Sequence, residues 1–174
     1  MTRIERLRRV IIVCHIFARN LAYYRTAWNT KHQFLLPKTN FWKTINGNCL
    51  DHCVLEWCKL FGDKKSSSKY GEHFWKQIVT DTDTFEKNLL HELEMTAEDF
   101  EDYRIKMRDY RDKFVAHLDS DNVMIPPLLN TAKTCVWFYY SYIVAKDSLS
   151  GLARNLDRYY ESCEREAIEI YNQI

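Results

Sequence analysis

Apolar residues recur along this chain at three- and four-residue steps, the period of helices with one buried face. Ile4, Leu7, Ile11, Cys14, Ala18, Leu21 and Trp28 predict one long helix over residues 4–34 that ends near Pro37. Phe41, Ile45, Cys49, Cys53, Trp57 and Phe61 form an unbroken i,i+4 stripe, widened by Leu50, Val54 and Leu60, with Gly62 placed to stop it. The segment from Gly62 to Gly71, with DKKSSSK inside it, reads as a loop.

Two shorter helices are expected over 72–79 and 83–94, burying Phe74, Trp75, Ile78, Phe85, Leu89, Leu90 and Leu93. Thr96-Ala97-Glu98-Asp99 resembles a capping box with Asp in the place of Glu, and opens a helix whose stripe is Phe100, Tyr103, Met107, Tyr110 and Phe114. That helix is expected to end at Asp119 to Asp121. Pro126 and Pro127 suit the first turn of the next one, LLNTAKTCVWFYYSYIVA, which is apolar on nearly every side and so is expected at the centre. A last helix, from Leu152 to Tyr171, turns Leu156, Tyr159, Tyr160, Cys163, Ala167 and Ile170 inward. The prediction is a single all-α domain over 1–174, a bundle of about five main helices. Only four glycines and three prolines in 174 residues agree with long helices rather than a strand-rich fold.

The net charge of +1 excludes a polycation that coats nucleic acid indiscriminately. Charge is nonetheless segregated: residues 1–43 carry about +8 and residues 79–120 about −6. Arg3, Arg6, Arg8, Arg9, Arg19 and Arg25 on the first helix make either a face that tracks a nucleic-acid backbone or a solvated face paired with the acidic middle of the chain. Six cysteines without CxxC spacing point to reduced thiols and a cytoplasmic protein. The charged-then-apolar start lacks a small-residue cleavage site, and no apolar run approaches a membrane span.

Cys49, His52, Cys53 and Cys58 invite a zinc reading, but Cys49 and Cys53 lie on the apolar stripe, so buried thiols and no bound metal are expected. His91-Glu92 is not continued to HExxH, and there is no GxSxG. Trp137, Phe138, Tyr139, Tyr140 and Tyr142 read as core or dimer interface, with base stacking as the alternative.

The chemistry concentrates in Arg111-Asp112-Lys113-Phe114-Val115-Ala116-His117-Leu118-Asp119. Arginine offers phosphate a permanent cation with forked donors, and histidine carries a proton near neutral pH. An arginine, a polar residue directly after it and a histidine six positions on resemble the motif of the HEPN superfamily, small helical proteins that include metal-independent RNases. The text RDKFVAHLD is similar to the abortive-infection (AbiU-type) branch. It departs from the toxins paired with nucleotidyltransferase antitoxins, because Asp119 stands where those carry tyrosine.

The resemblance implies RNA cleavage through the RNA's own 2′-hydroxyl, without a metal. His117 would move the proton, Arg111 would stabilise charge on the phosphoryl oxygens, and Asp112 would orient Arg111 or tune His117. Arg108 and Lys113 are second-tier RNA contacts, although a surface pair of Asp109 with Lys113 explains them equally well. Asp119 either holds His117 or ends the helix. On an ideal helix Arg111 and His117 would point about 120° apart and lie about 9 Å apart along the axis. Either the helix loosens before His117, or the arginine reaches across, or a second chain completes the site. The resemblance favours the last, a homodimer with one composite site. It implies RNA as the substrate and a toxin or phage-defence role, and leaves any antitoxin unidentified. The alternatives are a non-catalytic module that binds phosphate, nucleotides or protein, and a structural pair in which His117 caps a helix and Arg111 forms an ordinary ion pair.

Overall fold

A computed structural model describes residues 2–28, 39–62, 72–116, 125–146 and 155–173. Among them the chain is all-α: α1 (Arg3–Ala27), α2 (Asn40–Trp57), the single turn α3 (Trp75–Ile78), α4 (Thr82–Leu93), α5 (Ala97–Tyr110), α6 (Leu129–Lys146) and α7 (Leu156–Tyr171). Two π-helical turns, Cys58–Gly62 and Arg111–Ala116, continue α2 and α5. The expected 62–71 loop beyond Gly62 and the 119–121 stop fall outside the described residues, whereas the last helix starts at Leu156, capped by Asn155, rather than at about Leu152.

Side-chain caps fix most of the helix starts, one of them expected from the sequence. Thr2 and Glu5 close a capping box on α1, and Thr96 and Asp99 close the predicted one on α5, with Asp99 carboxylate bonds to the Thr96 backbone N–H at 3.2 Å and to its hydroxyl at 2.6 Å. Asp81 caps α4 and Asn155 caps α7.

The centre of the bundle is α1, not α6. It packs along both α2 and α7 and also touches α6 and α3. Cys14, Ala18 and Ala22 are fully buried small residues that let its neighbours approach closely. In α6, by contrast, Trp137, Phe138, Tyr142 and Val144 are only half-buried, so apolar composition alone did not make it central.

Three further expectations are corrected. First, α1 stops at Ala27 rather than near Pro37. The Asn46 amide on α2 donates to the Tyr24 carbonyl at 3.2 Å and its oxygen accepts from the Trp28 indole at 3.0 Å, so a side chain from the neighbouring helix takes over where the helix's own hydrogen bonding ends. Second, the apolar stripes run past the core at their ends. Ile4, Trp28, Phe41, Ile45, Phe114 and Ile170 are exposed. Third, Pro126 and Pro127 precede α6 instead of opening it. Pro127 disfavours helical geometry at Pro126, and the Leu128 carbonyl accepts from the Tyr103 hydroxyl at 2.8 Å.

Candidate functional site

The motif begins where α5 changes character. Phe100, Tyr103, Met107 and Tyr110 bury one face of α5, and Tyr110 is clamped twice. Its hydroxyl donates to Asp51 Oδ1 on α2 at 3.0 Å, and its ring lies 5.2 Å from that of Phe114. From Arg111 to Ala116 the backbone is π-helical. Such turns are uncommon and recur at functional sites.

The other π-turn, Cys58–Gly62, lies against this stretch of α5. The Cys58 thiol points to the Met107 carbonyl at 3.8 Å. Gly62 is buried so tightly that an added Cβ would stand 3.0 Å from Cys58 Cβ and 3.6 Å from Arg108 Cγ. The ends of α2 and α5 are thus locked together just before Arg111.

Arg111 Nε donates to Asp112 Oδ1 at 2.7 Å, with the arginine side chain 21% exposed and the aspartate 51%. Asp112 therefore orients the guanidinium while both remain within reach of solvent. Lys113 Nζ lies 3.6 Å from Asp109, the surface pair anticipated from their spacing. Arg108 Nε is buried with no hydrogen-bond partner. Three cations therefore follow one another closely in sequence, interleaved with Asp109 and Asp112. Burial, and then the Asp51 carboxylate, push the Tyr110 phenol far above its ordinary range, so it stays a hydrogen-bond donor.

His117 and Asp119 lie outside the described residues. Of the described motif residues, the structure sets Arg111 on Asp112 and Lys113 beside Asp109, while Arg108 has its Nε buried. Regular α-helical geometry ends at Tyr110 and gives way to a π-turn through Ala116, in line with the alternative of a helix that loosens before His117, so an offset of about 120° taken from an ideal helix does not apply. Asp51 and Tyr110 were not read as site-supporting residues. The available signal was an acidic residue at 51 amid the apolar stripe of α2, a position where a carboxylate requires a partner.

Comparison of the chain with protein-family models, curated proteins and solved structures finds no match.

The other motifs resolve plainly. All six cysteines are free and buried, and burial raises each thiol pKa for which a shift is resolved, Cys135 up to about 12. Among the described residues no group of His, Cys, Asp or Glu is arranged to hold a metal ion. None of the described helices is long and apolar enough to cross a membrane. On the basic helix, Arg3 donates to the Ile78 carbonyl at 3.1 Å and Arg25 to Asn130 Oδ1 at 2.5 Å, so these two arginines tie α1 to its neighbours.

Proposed function

We propose that this protein is a metal-independent endoribonuclease of HEPN-like type, acting in the cytoplasm as a homodimer and serving as a toxin or phage-defence effector. The observation that carries the reading is Arg111, set on a π-turn with its side chain 21% exposed and oriented by Asp112, with Arg108 and Lys113 close by in sequence. An oriented guanidinium presents donors to the non-bridging oxygens of a phosphodiester, where charge grows in the transition state.

The reaction is intramolecular in the RNA. The 2′-oxygen attacks phosphorus as its proton is removed, the bond from phosphorus to the 5′-oxygen breaks, and a proton is delivered to that oxygen. The products are a 2′,3′-cyclic phosphate and a 5′-hydroxyl. His117 moves the proton and Arg111 stabilises the phosphoryl oxygens. DNA lacks the nucleophile and is spared.

Cleavage of labelled RNA in EDTA, by wild type beside His117→Ala, tests the proposal. Wild type is expected to cut and the variant to be silent. RNA or nucleotides bound but never cut by wild type would instead assign a non-catalytic phosphate-binding module, the reading next favoured by the same oriented arginine.

A further inference from the structure

A groove on α6 takes no part in the Arg111 site. Lys133, Thr134, Trp137, Phe138 and Ser141 line it along α6, Glu92 closes it from α4, and its volume is about 450 Å³. These α6 positions repeat every third or fourth residue, so they form one stripe about 12 Å long. The motif's π-turn packs against α5 and α2, a different part of the bundle.

The aromatic floor is held from behind. The Trp137 indole N–H donates to Asp157 Oδ1 at 2.6 Å, and its ring meets Tyr160 edge-on at 5.8 Å. Phe138 packs edge-on against Phe85 at 5.1 Å. Both side chains are half-buried, so one part of each ring belongs to the core and the rest faces the groove. Lys133 Nζ stands 5.1 Å from the centre of the Trp137 ring and 4.9 Å from that of Tyr160, a cation already seated on the aromatic faces.

That arrangement selects by chemistry. A cationic ligand would meet the Lys133 ammonium on the faces that attract cations. A purely apolar ligand would dehydrate Lys133, Glu92 and the hydroxyls of Thr134 and Ser141 without replacing their hydrogen bonds. A planar, anionic molecule with an N–H edge satisfies every group, and the volume falls within the usual range for small-molecule sites. We propose that this groove binds a nucleotide unit, with its base packed on the groove-facing parts of the Trp137 and Phe138 rings beside Lys133, its phosphate on the Lys133 ammonium and a base N–H donated to Glu92. Thr134 and Ser141 are placed for the sugar hydroxyls. The unit is either a free nucleotide or one residue of an RNA strand, and the proposal does not depend on the reading of Arg111.

The test is calorimetric titration with each nucleoside 5′-monophosphate, and fluorescence anisotropy with a short labelled oligoadenylate, in an Arg111→Ala background so that the strand survives. Lys133→Glu and Trp137→Leu are each expected to weaken binding by about tenfold or more, as loss of a stacking or phosphate contact does. Lys133→Glu changes only a half-buried surface cation and is expected to keep wild-type helicity, so the test stands even if Trp137→Leu folds poorly. Equal affinity for monophosphates and oligoadenylate assigns a free-nucleotide site, whereas binding of the oligomer alone assigns a strand-binding groove. Absence of binding to both probes, or binding indifferent to Lys133→Glu, overturns the proposal. A wild type that binds through this groove yet never cuts RNA would remove the endoribonuclease reading and leave this one standing.

Discussion

The Tyr110 hydroxyl donates to Asp51 Oδ1 at 3.0 Å, joining the last α-helical residue of α5 to the middle of α2 one position before Arg111. The bond spans two helices and fixes the point from which the π-turn departs. Tyr110→Phe keeps the buried ring and its contact with Phe114 but leaves the carboxylate without this donor. A loss of about 1 kcal/mol is expected for so partly exposed a bond, read as a lower denaturation midpoint. RNA cleavage should fall further than stability does, because the start of the motif is no longer held.

Arg111, 21% exposed, pairs with the half-exposed Asp112, and pairs open to solvent contribute about 0 to 1 kcal/mol to folding. Arg111→Ala should therefore leave helicity and melting temperature nearly unchanged while reducing RNA cleavage by two or more orders of magnitude, of order 10²–10³. Circular dichroism beside a cleavage time course separates the two effects. A variant that loses its fold would assign Arg111 to structure instead.

If one composite site forms across a twofold axis, complementation follows from geometry. Mixing Arg111→Ala chains with His117→Ala chains should restore part of the activity that each lacks alone, and sedimentation should show a dimer. A monomer that cuts RNA at full rate under dilution would place the whole site in one chain, with the π-turn supplying the needed change of direction.

Gly47 in α2 and Gly62 in the π-turn that continues it should respond with opposite signs. At Gly47, within α2, an added Cβ meets nothing within 4 Å, so Gly47→Ala should stabilise by about 0.5–1 kcal/mol through helix propensity. At Gly62 the Cβ would press on Cys58 Cβ at 3.0 Å and Sγ at 3.2 Å. Gly62→Ala should destabilise by about 1–3 kcal/mol, the usual cost of overpacking. Urea denaturation of the two variants checks both directions.

His73 predicts an acid limb to stability. Burial, followed by the Arg9 cation, holds its imidazole below the ordinary value of 6.5, with Lys59 acting the same way and Glu72 and Glu56 opposing. The unfolded chain thus takes up this proton at a higher pH than the folded one. The stabilising contribution is present above about pH 6.5 and is lost as pH falls through the interval below it. Melting temperatures measured from pH 7.5 to 5 should decline, and His73→Gln should flatten that decline.

The regular helices were readable from sequence because one buried face imposes one period, and the Thr96 and Asp99 capping box marked its own place. What the period does not encode is where a neighbour ends. Phe41, Ile45 and Phe114 continue their stripes beyond the reach of the core, and so are exposed. The hub position of α1 depends on small residues, Cys14, Ala18 and Ala22, whose importance lies in the neighbours they admit rather than in their own hydrophobicity. The π-turns are not marked by the apolar period: Leu60 and Phe61 keep the stripe of α2 running through the first, which packs Gly62 and Cys58 against Met107 and Arg108 of the neighbouring helix. Arg111, Asp112 and Lys113 were identified from residue type and spacing, whereas the Asp51 and Tyr110 bond that precedes them required the fold.

The buried thiols make the bundle its own recorder. Cys14 sits in α1, Cys49 and Cys53 in α2, Cys58 in the turn that follows, Cys135 in α6 and Cys163 in α7. Each is shielded in the closed state, and the thiols of Cys14, Cys53 and Cys135 are held strongly protonated by burial. An alkylating reagent reaches the fully buried Cys14, Cys53 and Cys135 only when their helices lift away, and Cys49, at the edge of a surface pocket, more readily. The order in which Cys14, Cys53 and Cys135 become labelled is a chronology of local opening, obtained without adding a probe to the protein.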